Sequence, residues 1–347
     1  MTSSQKSSIL LIYTGGTIGM KVDPEVKALT PFDFSQILQE VPELTKFAYR
    51  IDSWTFDPLI DSSDVEPSLW ISLAELIEEK YDMYDGFVIL HGTDTMAYSA
   101  SVLSFMIEHL TKPVIFTGSQ LPIGAARTDG KENLISAVEI AAAKDADGHA
   151  VVPEVCICFD NILMRGNRTS KINSDNFRAF RSENLPPLAE AGINIRYNTA
   201  LIRRPASWDI RPIFRKGLDT RVAILKMHPG ITPQIVRDIM CSTDTRAVII
   251  ETYGAGNAPS KDWFIKIVQE ASGMGKIILN VTQCMAGSVN MDIYATGKCL
   301  KDAGVTSGYD STTESALAKL FYLLGTFRDN DRVKGLLGED LRGEISK

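Results

Sequence analysis

The sequence predicts an α/β fold, with a doubly wound, mostly parallel sheet in a larger N-terminal domain and a smaller α/β domain after it. Three observations carry this expectation. Short apolar runs alternate with amphipathic stretches through most of the chain. The runs are continuously apolar rather than alternating, as in strands covered on both faces. The rhythm breaks over 186–217, where Pro186, Pro187, Pro205 and Pro212 fall among charges, and it resumes at Arg221. Alternating strand and helix implies right-handed crossovers and a parallel sheet. The 347 residues suggest two domains at one per ~150. They are expected to divide as 1–200, a linker over 201–220, and 221–347.

The first run, Ile9–Tyr13, is too short for a signal-peptide core and no small-residue cleavage site follows it, so it reads as a buried strand. Further strands are expected at Gly86–Leu90, Val114–Thr117, Val155–Phe159, Val222–Met227, Ala247–Glu251 and Lys276–Val281. Helical periodicity marks Ser68–Tyr81, Tyr98–His109, Lys131–Ala143, Pro233–Met240, Lys261–Ser272 and Ser315–Gly325. No stretch approaches the ~18 apolar residues of a membrane helix, and no repeat or low-complexity tract is present.

Composition narrows the function classes without naming one. Thirty-six basic against 43 acidic residues give a net charge of −7, which argues against a general nucleic-acid or anionic-membrane binder. Five cysteines, an odd number without secretory context, make a disulfide framework unexpected and point to the cytoplasm. Cys156 and Cys158 sit two apart in an apolar strand and read as buried thiols, since no companion pair supplies a metal-ligand set.

Ligands of open parallel sheets bind beyond the carboxyl ends of the strands, so the loops there are the informative ones. After the first strand comes Thr14-Gly15-Gly16-Thr17-Ile18-Gly19, which fits either a phosphate-cradling turn or a threonine nucleophile. It lacks the spacing of a P-loop or of a dinucleotide fingerprint. His91-Gly92-Thr93-Asp94-Thr95 follows the next strand; a helix cap accounts for one of Asp94 and Thr95 but not for the crowd of polar groups. Thr117-Gly118-Ser119-Gln120 is explicable by capping alone. Arg165-Gly166-Asn167-Arg168-Thr169-Ser170-Lys171 is either an exposed basic loop or the source of a lysine base. No Ser-His-Asp set or G-x-S-x-G elbow occurs, which leaves a Thr–Lys–Asp arrangement to activate a hydroxyl.

Taken in order and spacing, these segments resemble the motifs of bacterial-type L-asparaginases, most closely the cytoplasmic type I branch. The resemblance extends through Asp61-Ser62-Ser63-Asp64, Tyr253-Gly254-Ala255-Gly256-Asn257-Ala258-Pro259, Thr282-Gln283-Cys284-Met285 and Leu341-Arg342-Gly343-Glu344, nearly the whole chain. It implies hydrolysis of the asparagine side-chain amide to aspartate and ammonia, without cofactor or metal. By the same resemblance Thr17 is the nucleophile, Lys171 helps deprotonate Thr93, and Asp94 holds the lysine and binds the substrate amino group. Ser62, with Ser63 beside it, matches the group that binds the substrate carboxylate, and backbone amides near Thr93 are the expected oxyanion donors. A homodimer or homotetramer is implied, with Asn257 near the site.

Two departures stand out. Leu29 falls where the family commonly carries a tyrosine in the flexible loop, just before a proline, so Tyr322 or Tyr13 is the candidate substitute or both simply pack. Glu251 stands where some type I relatives use an arginine to bind effector asparagine, and a carboxylate there predicts little sigmoidal response. The alternatives are a glutaminase or broader amidase, one methylene discriminating by only ~1–3 kcal/mol, and a catalytically silent amino-acid sensor of the same fold. An amidase subunit of a tRNA amidotransferase is disfavoured by the short N-terminus.

Overall fold

The computed structural model describes residues 6–22, 29–31, 37–293 and 295–346. The chain forms two compact units, Met1–Ser182 with Pro186–Phe214, and Glu183–Leu185 with Arg215–Lys347. The stretch read as a linker thus divides after Phe214. Its first part is tied into the first unit, where Ile213–Phe214 pairs antiparallel with Ile107–Glu108.

The first unit is built on an eight-stranded sheet. β1 (Ser8–Tyr13), β2 (Arg50–Thr55), β3 (Gly86–Leu90), β4 (Val114–Thr117) and β5 (Val155–Phe159) run parallel. β6 (Ile162–Arg165), β7 (Ala189–Ala191) and β8 (Ile195–Tyr197) extend it antiparallel, giving the order β8-β7-β6-β5-β4-β3-β1-β2. β3, β4 and β5 match the expected runs because every residue in them is buried. β2 escaped notice because it is an edge strand, Arg-Ile-Asp-Ser-Trp-Thr, with most residues partly or fully exposed. β7 and β8 lie inside the proline-rich stretch.

The crossovers are α1 (Pro67–Lys80), α2 (Met96–Met106) and α3 (Gly130–Ala142). α2 stops three residues before the expected His109, because Ile107–Glu108 becomes extended to pair with 213–214 and His109 turns the chain with a φ of 58°. α1 and α2 share one face of the sheet: Trp70 of α1 bonds Ser99 of α2, Tyr81 stacks on Phe87, and Ser99 reaches His91. α3 covers the other, so closely that a Cβ on Gly86 would lie 2.6 Å from the Ala141 carbonyl oxygen. The steps β3–α2–β4 and β4–α3–β5 move the same way along the sheet with helices on opposite faces. They therefore have opposite hands, and one breaks the right-handed expectation.

The second unit carries a four-stranded parallel sheet in sequential order, β9 (Val222–Lys226), β10 (Ala247–Thr252), β11 (Ile277–Thr282) and β12 (Val305–Ser307). Between these strands run α4 (Pro233–Met240), α5 (Asp262–Gly273) and α6 (Ala295–Asp302), followed by α7 (Thr313–Thr326) and α8 (Asn330–Leu337). Val236, Met240, Phe264, Val268 and Leu300 pack with Val248, Ile250 and Ile278 into one core. α4 starts at Pro233, as the periodicity predicts; Thr232 accepts from the Ile235 amide and proline fits the first helical position. β12, α6 and α8 were not expected, being short and, for the helices, carrying Gly297 and Gly335. Near the chain end, buried Glu344 pairs with Lys319 at 2.6 Å and accepts the Leu341 and Arg342 amides, which gives the Leu341–Glu344 segment a structural task.

Candidate active site

Strand order reverses at β1. The chain goes out to β2 on one side and returns to β3 on the other, so the loops after these strands meet at a switch point beyond their carboxyl ends. Glycines let them meet. Gly15 and Gly16 have φ of 138° and 91°. A Cβ on Gly15 would sit 2.1 Å from the Ile60 carbonyl oxygen, and one on Gly16 would sit 2.6 Å from the Gly92 Cα. One on Gly92 would strike the Ser62 hydroxyl at 2.4 Å. Thr17 and Thr93 each follow one of the touching glycines.

Hydrogen bonds sort the hydroxyls of these loops. Thr14 donates its hydroxyl to the Leu90 carbonyl at 3.0 Å and its own carbonyl accepts the Ile60 amide, so it is mortar between β1, β3 and the β2 loop. Thr17 opens a single 3-10 turn over Thr17–Gly19, half-buried, and its hydroxyl makes no hydrogen bond among the described residues. Thr95 stands at the N-cap of α2 without capping it; its hydroxyl goes instead to the Ser62 carbonyl at 2.6 Å. Ser62 is buried and its oxygen accepts the Asp94 amide at 3.3 Å. Ser63 is exposed and donates to Asp61 at 2.8 Å, and this bond with the Ser63 amide holds the Asp61 carboxyl below its usual range.

Lys171 reaches in from a short ribbon, Ser170–Lys171 against Phe180–Arg181. Its ammonium lies 2.8 Å from the Thr93 hydroxyl and 2.6 Å from the Asp94 carboxylate. Thr93 donates onward to the Gln120 side-chain carbonyl at 3.3 Å, and Gln120 is steadied by Asp129, which accepts its amide. Asp129 was missed in the sequence because its partner lies nine residues away across a loop. The Lys171 side chain is largely covered, whereas that of Asp94 is 60% exposed, leaving one carboxylate oxygen open toward solvent. The Arg165–Thr169 segment is buried rather than an exposed basic loop: Arg165 pairs with Glu154 at 2.6 Å and Thr169 bonds back to the Arg165 carbonyl.

His91 is buried, and burial pushes its pKa down to about 4. Tyr13 is buried with its hydroxyl on the Gly16 carbonyl, and burial raises its pKa to about 12, so this phenol packs. The Lys27-Ala28 part of the loop lies outside the described residues; Leu29–Pro31 pairs with Met20–Val22. Both cysteines of β5 are buried, and burial raises the Cys158 thiol to about 12.

In the second unit, Tyr322 is buried in α7. Asn257 closes a turn with Tyr253, backbone to backbone, and accepts from Thr296 at 3.0 Å. Glu251 accepts the Thr313 hydroxyl at 2.6 Å, with Lys226 at 3.7 Å. Among the described residues Asp145, Asp147 and His149 lie close enough to share a cation, but at the opposite end of the first sheet. Asp145 there already accepts the Asp147 and His149 amides.

Known proteins resemble this chain over its whole length. The family model described as "Asparaginase, N-terminal" matches residues 8–203, and that described as "Glutaminase/Asparaginase C-terminal domain" matches 221–337. "L-asparaginase 1" of Escherichia coli K12 is 44% identical over 346 residues, 99% of each chain. The "60 kDa lysophospholipase" of Mus musculus is 41% identical across 97% of this chain and 62% of its own length. The crystal structure of L-asparaginase I from Vibrio cholerae superposes with a TM-score of 0.89 at 42% identity, covering 99% of this chain and all of the other.

Proposed function

The chain belongs to the asparaginase family, and from that premise we propose that it hydrolyses the side-chain amide of L-asparagine to L-aspartate and ammonia through a threonine nucleophile. Thr17 attacks the amide carbon and its proton ends on the departing nitrogen, leaving an acyl-enzyme and free ammonia. Water then cleaves the acyl group, and Thr17 is restored. The observation that carries this reading is the Lys171 ammonium set between Thr93 and Asp94, with Thr17, its hydroxyl unengaged, on the loop whose Gly16 abuts Gly92.

In this reading Lys171 helps deprotonate Thr93 and so activates the group that handles water. Asp94 keeps the lysine in place with one oxygen and receives the substrate ammonium on the other. Ser62 donates to the substrate carboxylate, since its oxygen already accepts an amide and its hydrogen remains to be placed. Ser63 is the weaker candidate, its hydroxyl being committed to Asp61. Neither Tyr322 nor Asn257 is assigned a chemical step. A homodimer or homotetramer in the cytoplasm belongs to the same reading; among the described residues no helix is long and apolar enough to cross a membrane.

The test is steady-state release of ammonia and aspartate from asparagine and, separately, glutamine. Equal yields of the two products from asparagine are expected, and Thr17→Ala should lower turnover by about three orders of magnitude or more without lowering Tm. Retained turnover in Thr17→Ala would reject the nucleophile. Binding without ammonia in the wild type would leave a sensor.

A further inference from the structure

The proposed mechanism leaves His91 idle, although it occupies the first position of the loop that carries Thr93 and Asp94. Its surroundings fix its protonation without reference to solvent. The Trp70 indole N–H, a donor only, points at the Ser99 hydroxyl oxygen at 2.9 Å. Ser99 Oγ lies 3.0 Å from His91 Nε2. A hydroxyl oxygen can accept twice, so it is the Gly92 carbonyl facing Nδ1, an acceptor only, that places the ring proton there, and Nε2 then accepts the Ser99 hydrogen. That Nδ1–H donates to the Gly92 carbonyl at 2.7 Å. The ring is buried edge-on against Phe116.

The Gly92 carbonyl belongs to the same rigid unit as the Thr93 amide. In a planar trans peptide the C=O and N–H point in opposite directions. Holding the carbonyl inward therefore aims the Thr93 N–H outward, away from His91, and this N–H donates to no described residue. Gly92 has no side chain to resist rotation of that plane, and its Cα already abuts Gly16 and Ser62.

We infer that His91 is a positioning residue: through Trp70, Ser99 and its own Nδ1–H it locks the Gly92–Thr93 peptide so that the Thr93 N–H faces the oxygen of the substrate amide. The inference rests on the proposed amide hydrolysis at this site. It adds that one tautomer of one buried imidazole, its Nε2 edge held by Ser99 and Trp70, sets the direction of that donor. The effect belongs in kcat, because the donor matters most when charge gathers on the oxygen.

The experiment uses the full chain and two isosteres. The asparagine amide nitrogen can stand where Nδ1 stands, whereas that of glutamine falls nearer Nε2. His91→Asn is expected to keep kcat within about threefold of wild type, while His91→Gln and His91→Leu lose roughly tenfold with KM little changed. Equal losses in Asn and Gln variants, or losses in KM alone, would overturn the inference in favour of packing. Should these variants fold poorly, nitrogen-15 NMR of histidine-labelled wild type decides: Nδ1 protonated and Nε2 unprotonated supports it, and the reverse overturns it. A wild type that shows the Nδ1–H tautomer yet yields no ammonia would sink the hydrolysis reading while leaving the relay itself intact.

Discussion

In the first unit the chain leaves β1 for β2 and then crosses back to β3; in the second, β9 to β12 follow one another without reversal. Both sheets are parallel at this end and both finish in glycine-bearing polar loops. The difference lies in what the polar groups find. Beyond β10 and β11 they satisfy one another: Thr252 bonds Asn280, Thr282 bonds the Gly254 carbonyl, and Gln283 donates to the carbonyls of Met227 and Glu251. Beyond β1 and β3 three loops diverge from a reversal, and a threonine hydroxyl, a threonine amide and a carboxylate oxygen are left facing outward. Polar strand tips alone do not make a site; a reversal that keeps their groups from pairing does.

Variants on the two sides should separate accordingly. After Thr17→Ala, the largest effect is expected from Lys171→Met, which removes the cation between Thr93 and Asp94: kcat for asparagine should fall by roughly two to three orders of magnitude with Tm barely moved. A loss under tenfold would detach Lys171 from the chemistry. Lys319→Met, in the second unit, should do the opposite. It strands Glu344 in the interior and should cost about 3–5 kcal/mol of stability by denaturant unfolding, with turnover per folded molecule unchanged.

A third test returns to the first unit. The His91 pKa is depressed to about 4 in the folded chain against an ordinary 6.5, so below 6.5 the unfolded state binds the extra proton. Its contribution is complete above pH 6.5 and is lost as pH falls toward 4, about 3 kcal/mol in all. His91→Asn should flatten that part of the stability–pH curve, and an unchanged slope would assign the acid sensitivity elsewhere. The smallest effect concerns Glu251, whose carboxylate is already engaged by Thr313 and Lys226. Initial rates should rise hyperbolically with asparagine, and a Hill coefficient well above one would show an effector site rebuilt around it.

Much of this was legible in the chain. Continuous apolar runs announced β3, β4 and β5 because burial on both faces tolerates nothing else, and helical periodicity announced α4 from Pro233 to Met240. The polar loops at strand ends pointed to the site, and the motifs named the family. β2 was illegible because an edge strand needs no apolar signature. The end of α2 was illegible because Ile107–Glu108 answers to residues 213–214, over a hundred positions away.

By itself, then, the sequence determined the elements and the chemical inventory: two α/β units, three hydroxyl-rich tips and one lysine with no cofactor motif. Only the tertiary structure decided which hydroxyls are spent on mortar, as in Thr14 and Thr95, and which stays unbonded among the described residues, as in Thr17. It alone turned Arg165 inward to Glu154 and put the Gly92 carbonyl against His91 Nδ1. The reason is physical. Propensity and patterning act over a few neighbouring residues, whereas a hydrogen bond's partner is chosen by what the folded chain brings within about 3 Å.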